Sequence, residues 1–234
     1  LNIMKNKIAF IHLMKTAGAH LQHYLLDHVI PEHLLLIPWN HQLRFRRDET
    51  VTKRSRDWNM SEMIRLLRLR NSGPTYIHNH VNHWNAQLHS LAKKEDYFTF
   101  MFLRHPGDIL CSHYYYTRER DIHWDLAYPK DVSLNFYLQR ILNCANDHVW
   151  WQIPTWYEQM DCVKHYTDTN FHEFLQEHFD HDDYLKNKPN LTHEDNKTQN
   201  PGWAKLCESG DINKENQTLL ERHQQMRLFE QLTG

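Results

Sequence analysis

A short apolar strand that runs abruptly into a helix is predicted twice in this chain, and this pattern limits the fold more than any other feature. The first strand, "KIAFIHL" (7 to 13), meets the turn "KTAG" and an apolar helical face over 18 to 30. The second, "DYFTFMFL" (96 to 103), meets "RHPGD" and a helix that Pro106 can begin. Strands that alternate with helices are typical of a parallel sheet covered by helices.

The other predicted elements continue this alternation along the chain. They are a helix over 61 to 70, a strand over 75 to 78, a helix over 132 to 143, a strand over 161 to 167, a helix over 171 to 179 and a last helix over 214 to 232. The polar segment from 39 to 58 has no period and is expected to form an exposed excursion. We therefore predict an α/β fold in a single domain over 1 to 234, with a central parallel sheet flanked by helices and ligand sites at the carboxyl ends of its strands.

Charge and composition argue against several classes of protein. The formal net charge of the 234 residues is −2, which does not favour nucleic acid as a partner. No apolar run approaches the roughly 20 residues of a membrane span. No export signal or anchor is visible, so we expect a soluble cytoplasmic protein, or a trimmed piece of an anchored one. The four cysteines are widely spaced without a C-x-x-C pair, which favours free thiols over a structural zinc site or a disulfide framework.

The turn after the first strand has the chemistry of an anion site. Small residues that lead into a helix expose backbone N–H groups and the positive end of the helix dipole, which together bind phosphate or sulfate. Lys15 adds a full positive charge there, although a surface lysine after an edge strand is the alternative. The P-loop motif of nucleotide triphosphatases does not fit. Lys15 precedes Gly18, and the strand over 97 to 103 ends in Arg104 where that class has a magnesium-binding aspartate.

Two segments carry a resemblance to a known family. "FIHLMKTAGAH" (10 to 20) and "FLRHPGDILCSHY" (102 to 114) each contain the end of a predicted strand and the turn after it. They resemble the two cofactor signatures of the sulfotransferases that use 3′-phosphoadenosine 5′-phosphosulfate (PAPS). The resemblance implies a P-loop-kinase-like sulfotransferase fold.

The resemblance also assigns cofactor contacts to residues of this chain. It implies that the 5′-phosphosulfate is held by Lys15, Thr16, Ala17, Gly18, Ala19 and His20, and the 3′-phosphate by Arg104 and Ser112. "NKTQNPG" (196 to 202) is similar to the family's C-terminal cofactor loop, which adds Lys197 and Thr198. The sequence departs from the family at Ala19, where Thr or Ser is usual, at His105 in place of an acid, and at Met14 in place of a frequent proline. Backbone amides and Thr16 must then hold more of the 5′-phosphate.

The resemblance implies transfer of a sulfuryl group from PAPS to a hydroxyl, with release of 3′-phosphoadenosine 5′-phosphate. A sulfuryl group carries less negative charge than a phosphoryl group, so one lysine at the bridging oxygen can stabilise the leaving group and no metal is required. We expect Lys15 to have this role.

A histidine is the expected general base for the attacking hydroxyl. "YIHNHVNHW" (76 to 84) resembles the segment that carries the base in glycosaminoglycan 2-O-sulfotransferases, with His80 as the first choice and His78 as the second. In one alternative His78, His80 and His83 bind zinc. In another, these histidines have a purely structural role.

The acceptor is expected to be a hydroxyl compound, with carbohydrate favoured. The basic residues of the stretch from 44 to 56 either steer an anionic glycan or are merely solvated; they are Arg44, Arg46, Arg47, Lys53, Arg54 and Arg56. The tyrosines from 114 to 116 either line an acceptor cleft or pack their helix. The alternative function is a module that binds a nucleotide or a metal without catalysis.

Overall fold

The computed structural model describes residues 7–16, 18, 21, 35–37, 42–44, 50–52, 76–80, 86–119, 132–144, 151–166, 171–178 and 201–234. Within these residues seven strands form one sheet in the order β4-β3-β2-β5-β1-β6-β7. The strands are β1 (Ile8–His12), β2 (Leu35–Ile37), β3 (Gln42–Arg44), β4 (Thr50–Thr52), β5 (Tyr76–His80), β6 (Phe98–Leu103) and β7 (Cys162–His165).

Most of the sheet is parallel. Neighbouring strands are parallel from β2 through β5, β1 and β6 to β7. At one edge β3 pairs antiparallel with both β2 and β4. The predicted α/β class with a central parallel sheet is therefore confirmed, and the antiparallel edge is an addition that the sequence did not predict.

The helices of the described residues alternate with the later strands. They are α1 (Ala86–Lys94), α2 (Pro106–Glu119), α3 (Leu134–Asn143), α4 (Phe171–His178), α5 (Trp203–Glu208), α6 (Lys214–Arg222) and α7 (Gln224–Thr233), with a 3₁₀ helix at Tyr157–Gln159. Pro106 is the first residue of α2, as predicted, because its fixed φ suits the first turn and its missing N–H costs nothing there. None of the described helices is long and apolar enough to cross a membrane.

Both faces of the sheet are buried, because successive residues of β1 and β6 point to opposite sides. On one face the rings of Phe10 and Phe100 lie 5.1 Å apart, and Phe174 of α4 lies 5.0 Å from Phe100. On the other face Ile11 and Met101 belong to a buried cluster with side chains of α2 and α3. Each fully buried side chain of this size stabilises the fold by about 1.5 to 3 kcal/mol. Helices therefore cover both faces.

A polar cluster closes the end of the sheet where β6 begins. Asp161 accepts hydrogen bonds from the backbone N–H of Thr99 at 2.7 Å and from its hydroxyl at 3.0 Å, and it pairs with Lys93 of α1. Burial alone would raise the pKa of Asp161, but the contacts with Lys93 and Thr99 lower it. His89 contacts the Thr99 hydroxyl at 3.1 Å. The cluster joins α1, β6 and the segment before β7 at the end opposite the candidate site.

The predicted exposed excursion over 39 to 58 is wrong in part, because β3 and β4 lie within it. Each of these strands has three residues in a polar, apolar, polar order. Three residues are too few to show the period of two that reveals a strand. The strand β2 and the helices α1 and α5 were also not predicted.

The predicted helix over 214 to 232 is two helices. His223 ends α6 and caps α7 in an extended conformation, and its Nδ1 accepts a hydrogen bond from the Gln225 N–H at 3.2 Å. The Gln225 side chain accepts a hydrogen bond from the Ile153 N–H at 2.7 Å, which fixes the break. The predicted helix over 61 to 70 lies outside the described residues. Of the predicted helix over 18 to 30, Gly18 and Leu21 are described, and both are helical.

Candidate functional site

The candidate site lies where the direction of strand addition reverses. From β1 the chain goes to β2 and β5 on one side of the sheet and then to β6 and β7 on the other. The carboxyl ends of β1 and β6 therefore flank a topological switch point, which is the usual ligand position in an open α/β sheet. Lys15 lies three residues beyond β1, and Arg104 directly follows β6.

The structure brings these two residues into contact. Nη1 of Arg104 donates a hydrogen bond to the carbonyl oxygen of Lys15 at 3.1 Å. The two predicted signatures are far apart in sequence, and this bond joins their turns at the same edge of the sheet. Two cationic side chains at one crevice suit an anionic ligand.

The backbone of the turn is held in an unusual conformation at Lys15. Its φ is +65°, in the left-handed region that L residues avoid at a cost of about 1 to 2 kcal/mol. Thr16 is fully buried, and both its N–H and its hydroxyl donate to the carbonyl of Leu13, with the N–H bond at 3.2 Å. The Thr16 hydroxyl therefore shapes the turn in this structure. Together with the Arg104 contact, these bonds fix the direction in which the Lys15 side chain leaves the backbone.

Gly18 is needed because another side chain occupies the space beside it. A Cβ at this position would clash with the imidazole of His12, which is buried and stacks on Phe10 with ring centroids 5.2 Å apart. The missing side chain lets the start of the helix approach the end of β1 closely. The sequence suggested Gly18 as a cofactor contact through its backbone, and this packing role was not foreseen.

The two candidate bases lie on the strand next to β1. His80 is the last residue of β5 and is paired in register with His12, and His78 is paired with Phe10. His80 is therefore placed at the same edge of the sheet as the Lys15 turn. His83, the third member of the proposed zinc set, lies outside the described residues. Across the part of the chain that the structure describes, no group of three or more His, Cys, Asp or Glu is arranged to hold a metal ion.

Tyr116, which the sequence placed either in an acceptor cleft or in the packing of its helix, makes a contact with Lys15 that sequence reasoning did not foresee. The Nζ of Lys15 lies 3.6 Å from the centroid of its ring. Of the three consecutive tyrosines, Tyr114 and Tyr115 pack against the hydrophobic core. No local pattern separates Tyr116 from its neighbours. The signal was topological, because the helix after Arg104 begins at the edge where the Lys15 turn ends.

The predicted 3′-phosphate residues lie on α2 and just before its start. Ser112 is buried on α2, and Arg104 is half-buried just before the helix begins. His105, between Arg104 and Pro106, has a pKa lowered by burial, although the carboxylates of Asp108 and Glu230 act in the opposite direction. The imidazole is therefore neutral at pH 7, and Arg104 supplies the charge at this end of the site.

The segment after the predicted C-terminal cofactor loop is docked onto the same helix end. The N–H of Trp203 donates to Oδ1 of Asp108 at 2.7 Å, and the Trp203 indole occupies the space that a Cβ of Gly107 would need. The Trp203 ring also lies 6.3 Å from the ring of His105, the residue that follows Arg104. Five predicted cofactor residues lie outside the described residues: Ala17, Ala19, His20, Lys197 and Thr198.

Comparison of the chain with known proteins gives no match among family models, curated proteins or solved structures.

Proposed function

We propose that this protein is a sulfotransferase that moves a sulfuryl group from PAPS to a hydroxyl acceptor, with carbohydrate favoured. The observation that carries the proposal is the hydrogen bond from Arg104 to the Lys15 carbonyl at the switch point of the sheet. It joins the two segments that resemble the family's cofactor signatures, in the position where such a fold binds its ligand.

The strand order separates this sheet from two common nucleotide-binding arrangements. Numbered along the chain, the parallel strands β1, β2, β5, β6 and β7 become 1 to 5, and the order across the sheet becomes 2-3-1-4-5. This order differs from the dinucleotide-binding order 3-2-1-4-5-6 and from the flavodoxin-like order 2-1-3-4-5. The P-loop-kinase-like sulfotransferase fold is proposed from the resemblance alone, and the strand order leaves it open.

The chemistry of the site fits a nucleotide that carries anionic groups at both ends. Lys15 and the helical backbone at Gly18 bind the 5′-phosphosulfate. Arg104 and the N-terminal part of α2 bind the 3′-phosphate. As the bond between sulfur and the bridging oxygen breaks, negative charge grows on that oxygen, and the Lys15 ammonium stabilises it. The product is 3′-phosphoadenosine 5′-phosphate, and the proposed mechanism requires no metal.

The acceptor hydroxyl needs a base at the same edge of the sheet. His80 at the end of β5 is our first choice and His78 the second, because β5 is the direct neighbour of β1. The basic stretch from 44 to 56 is assigned to steering an anionic glycan. Of its cationic residues, Arg44 ends β3, and the others lie outside the described residues.

Replacing Arg104 with alanine is expected to weaken binding of 3′-phosphoadenosine 5′-phosphate. Loss of a charge-assisted contact costs on the order of 1.5 to 3 kcal/mol, which is about a 10- to 150-fold rise in Kd. Ser112→Ala should have a smaller effect because it removes a neutral donor. Isothermal titration calorimetry measures both.

Arg140→Ala, at an exposed position on α3, is the matched control and should bind like the parent. Arg104→Lys keeps the charge but loses the planar fork, so its Kd should lie between those of the parent and of Arg104→Ala. If Arg104→Ala and Ser112→Ala both bind the nucleotide as tightly as the parent, the 3′-phosphate site lies elsewhere.

A further inference from the structure

We propose that Tyr116 is a positioning residue for Lys15, whose ammonium group it holds on its ring face beside the anion site before a ligand arrives. This inference rests on the proposed function, because it assigns a partner to the lysine that stabilises the leaving group. It adds a residue that lies outside both segments used for the resemblance.

The contact geometry is that of a cation–π interaction. The Lys15 Nζ lies 3.6 Å from the ring centroid of Tyr116, well inside the roughly 6 Å limit for such pairs. Tyr116 is half-buried, so the contact is partly shielded from water. Partial desolvation strengthens the attraction between a cation and an aromatic face.

The helix that carries Tyr116 is firmly anchored, which fixes the position of the ring. On α2, Tyr114 and Tyr115 pack against the hydrophobic core. The Arg118 guanidinium lies 3.3 Å from the ring centroid of Tyr114 and donates a hydrogen bond to the Val132 carbonyl at 2.6 Å. A ring on this helix is therefore a stable platform, unlike one on a surface loop.

Both the backbone and the side chain of Lys15 have a partner. Arg104 donates a hydrogen bond to the backbone carbonyl oxygen of Lys15, and the ring of Tyr116 contacts its ammonium group. A lysine side chain has a flexible four-carbon stem, and ordering it against the bridging oxygen in the transition state costs conformational entropy. Holding the ammonium in advance removes part of that cost. A ring face occupies only one side of an ammonium group, so the ring and an anion can contact it together.

Competitive amine labelling tests the contact in the full chain without any nucleotide. In Tyr116→Leu, Lys15 should react with an acylating reagent about 2- to 30-fold faster relative to Lys94, because the ring no longer stabilises the unreactive ammonium form. Tyr116→Phe should react like the parent, since the ring face remains. Mass spectrometry of the two lysine peptides gives the ratio, and Lys94 is an exposed internal reference on α1.

Fluorinated phenylalanines at position 116 keep the ring's shape and weaken its negative face, so they test the contact even if the leucine variant folds poorly. Labelling of Lys15 should rise stepwise with the number of fluorines. Unchanged labelling of Lys15 across the fluorinated series would overturn the inference.

An activity measurement separates this inference from the proposed function. If the parent transfers the sulfuryl group, Tyr116→Leu should lower kcat by about 2- to 30-fold and change KM for PAPS less, whereas Tyr116→Phe keeps the parent's values. Equal kcat in parent and Tyr116→Leu contradicts the positioning role alone. A parent that neither binds nor uses PAPS contradicts the proposed function, while the labelling result still decides whether Tyr116 holds Lys15.

Discussion

Replacing Lys15 with alanine is expected to lower kcat for sulfuryl transfer by about 10²- to 10³-fold, which is the usual cost of removing one donor from a site of developing charge. KM for PAPS should rise by less, because the charge on the bridging oxygen grows mainly in the transition state. The Arg104 contact holds the backbone carbonyl of Lys15, so the turn keeps that bond when the side chain is shortened. Steady-state kinetics with any accepted hydroxyl compound measures both constants.

Lys15→Met is the sharper variant, because it keeps the length of the side chain and removes only its charge. Lys94→Met, at an exposed position on α1, is the matched control and should behave like the parent. Chelation with EDTA should leave the parent's rate unchanged, since the proposed chemistry needs no metal. A kcat in Lys15→Met equal to that of the parent would exclude the role we assign to this lysine.

Replacing His80 with alanine is expected to cut turnover by roughly 10²- to 10⁴-fold, the range for loss of a general base. A base must be neutral to accept the hydroxyl proton, so the parent's rate should fall on the acid side as the base becomes protonated. The variant should lose this acidic limb and keep nearly the parent's affinity for 3′-phosphoadenosine 5′-phosphate. A pH–rate profile together with nucleotide titration measures all three quantities.

The alternatives for His80 give different results. If His80 is a zinc ligand, the variant protein should lose its bound metal and part of its thermal stability. If His80 only packs in the fold, the variant protein should lose stability but keep the parent's activity per folded molecule. If His80→Ala keeps the pH profile of the parent, the base is another residue, and His78→Ala is the next variant because His78 lies on the same strand.

The strands that position the site were predictable because they are buried and long enough to form a recognisable apolar run in the sequence. β1 and β6 read as continuous apolar runs, and each is followed directly by a turn and a helix. From these runs follow the parallel sheet and the placement of Lys15 and Arg104 at its carboxyl edge. The antiparallel strands β3 and β4 could not be recognised, because three residues carry no period.

Tertiary contacts at the ends of the strands were the part of the site that the sequence did not reveal. The Lys15 ammonium lies against Tyr116, and the Gly18 backbone lies against the imidazole of His12. Both depend on how closely a helix approaches the end of a strand, which is set by packing and not by local propensity. The break at His223 is similar, since the Gln225 side chain that fixes it bonds to the backbone of Ile153.

The central claim is that the crevice outside β1 and β6 binds the PAPS nucleotide, and thermal unfolding of the parent with 3′-phosphoadenosine 5′-phosphate tests it most directly. At a concentration about 100 times Kd a ligand stabilises the folded state by roughly 2.7 kcal/mol, which raises Tm by about 5 to 11 °C in a chain of this size. We predict this rise with the 3′-phosphorylated nucleotide and no comparable rise with ATP and magnesium or with zinc. No rise with the 3′-phosphorylated nucleotide, or a larger rise with ATP and magnesium or with zinc, would contradict the claim.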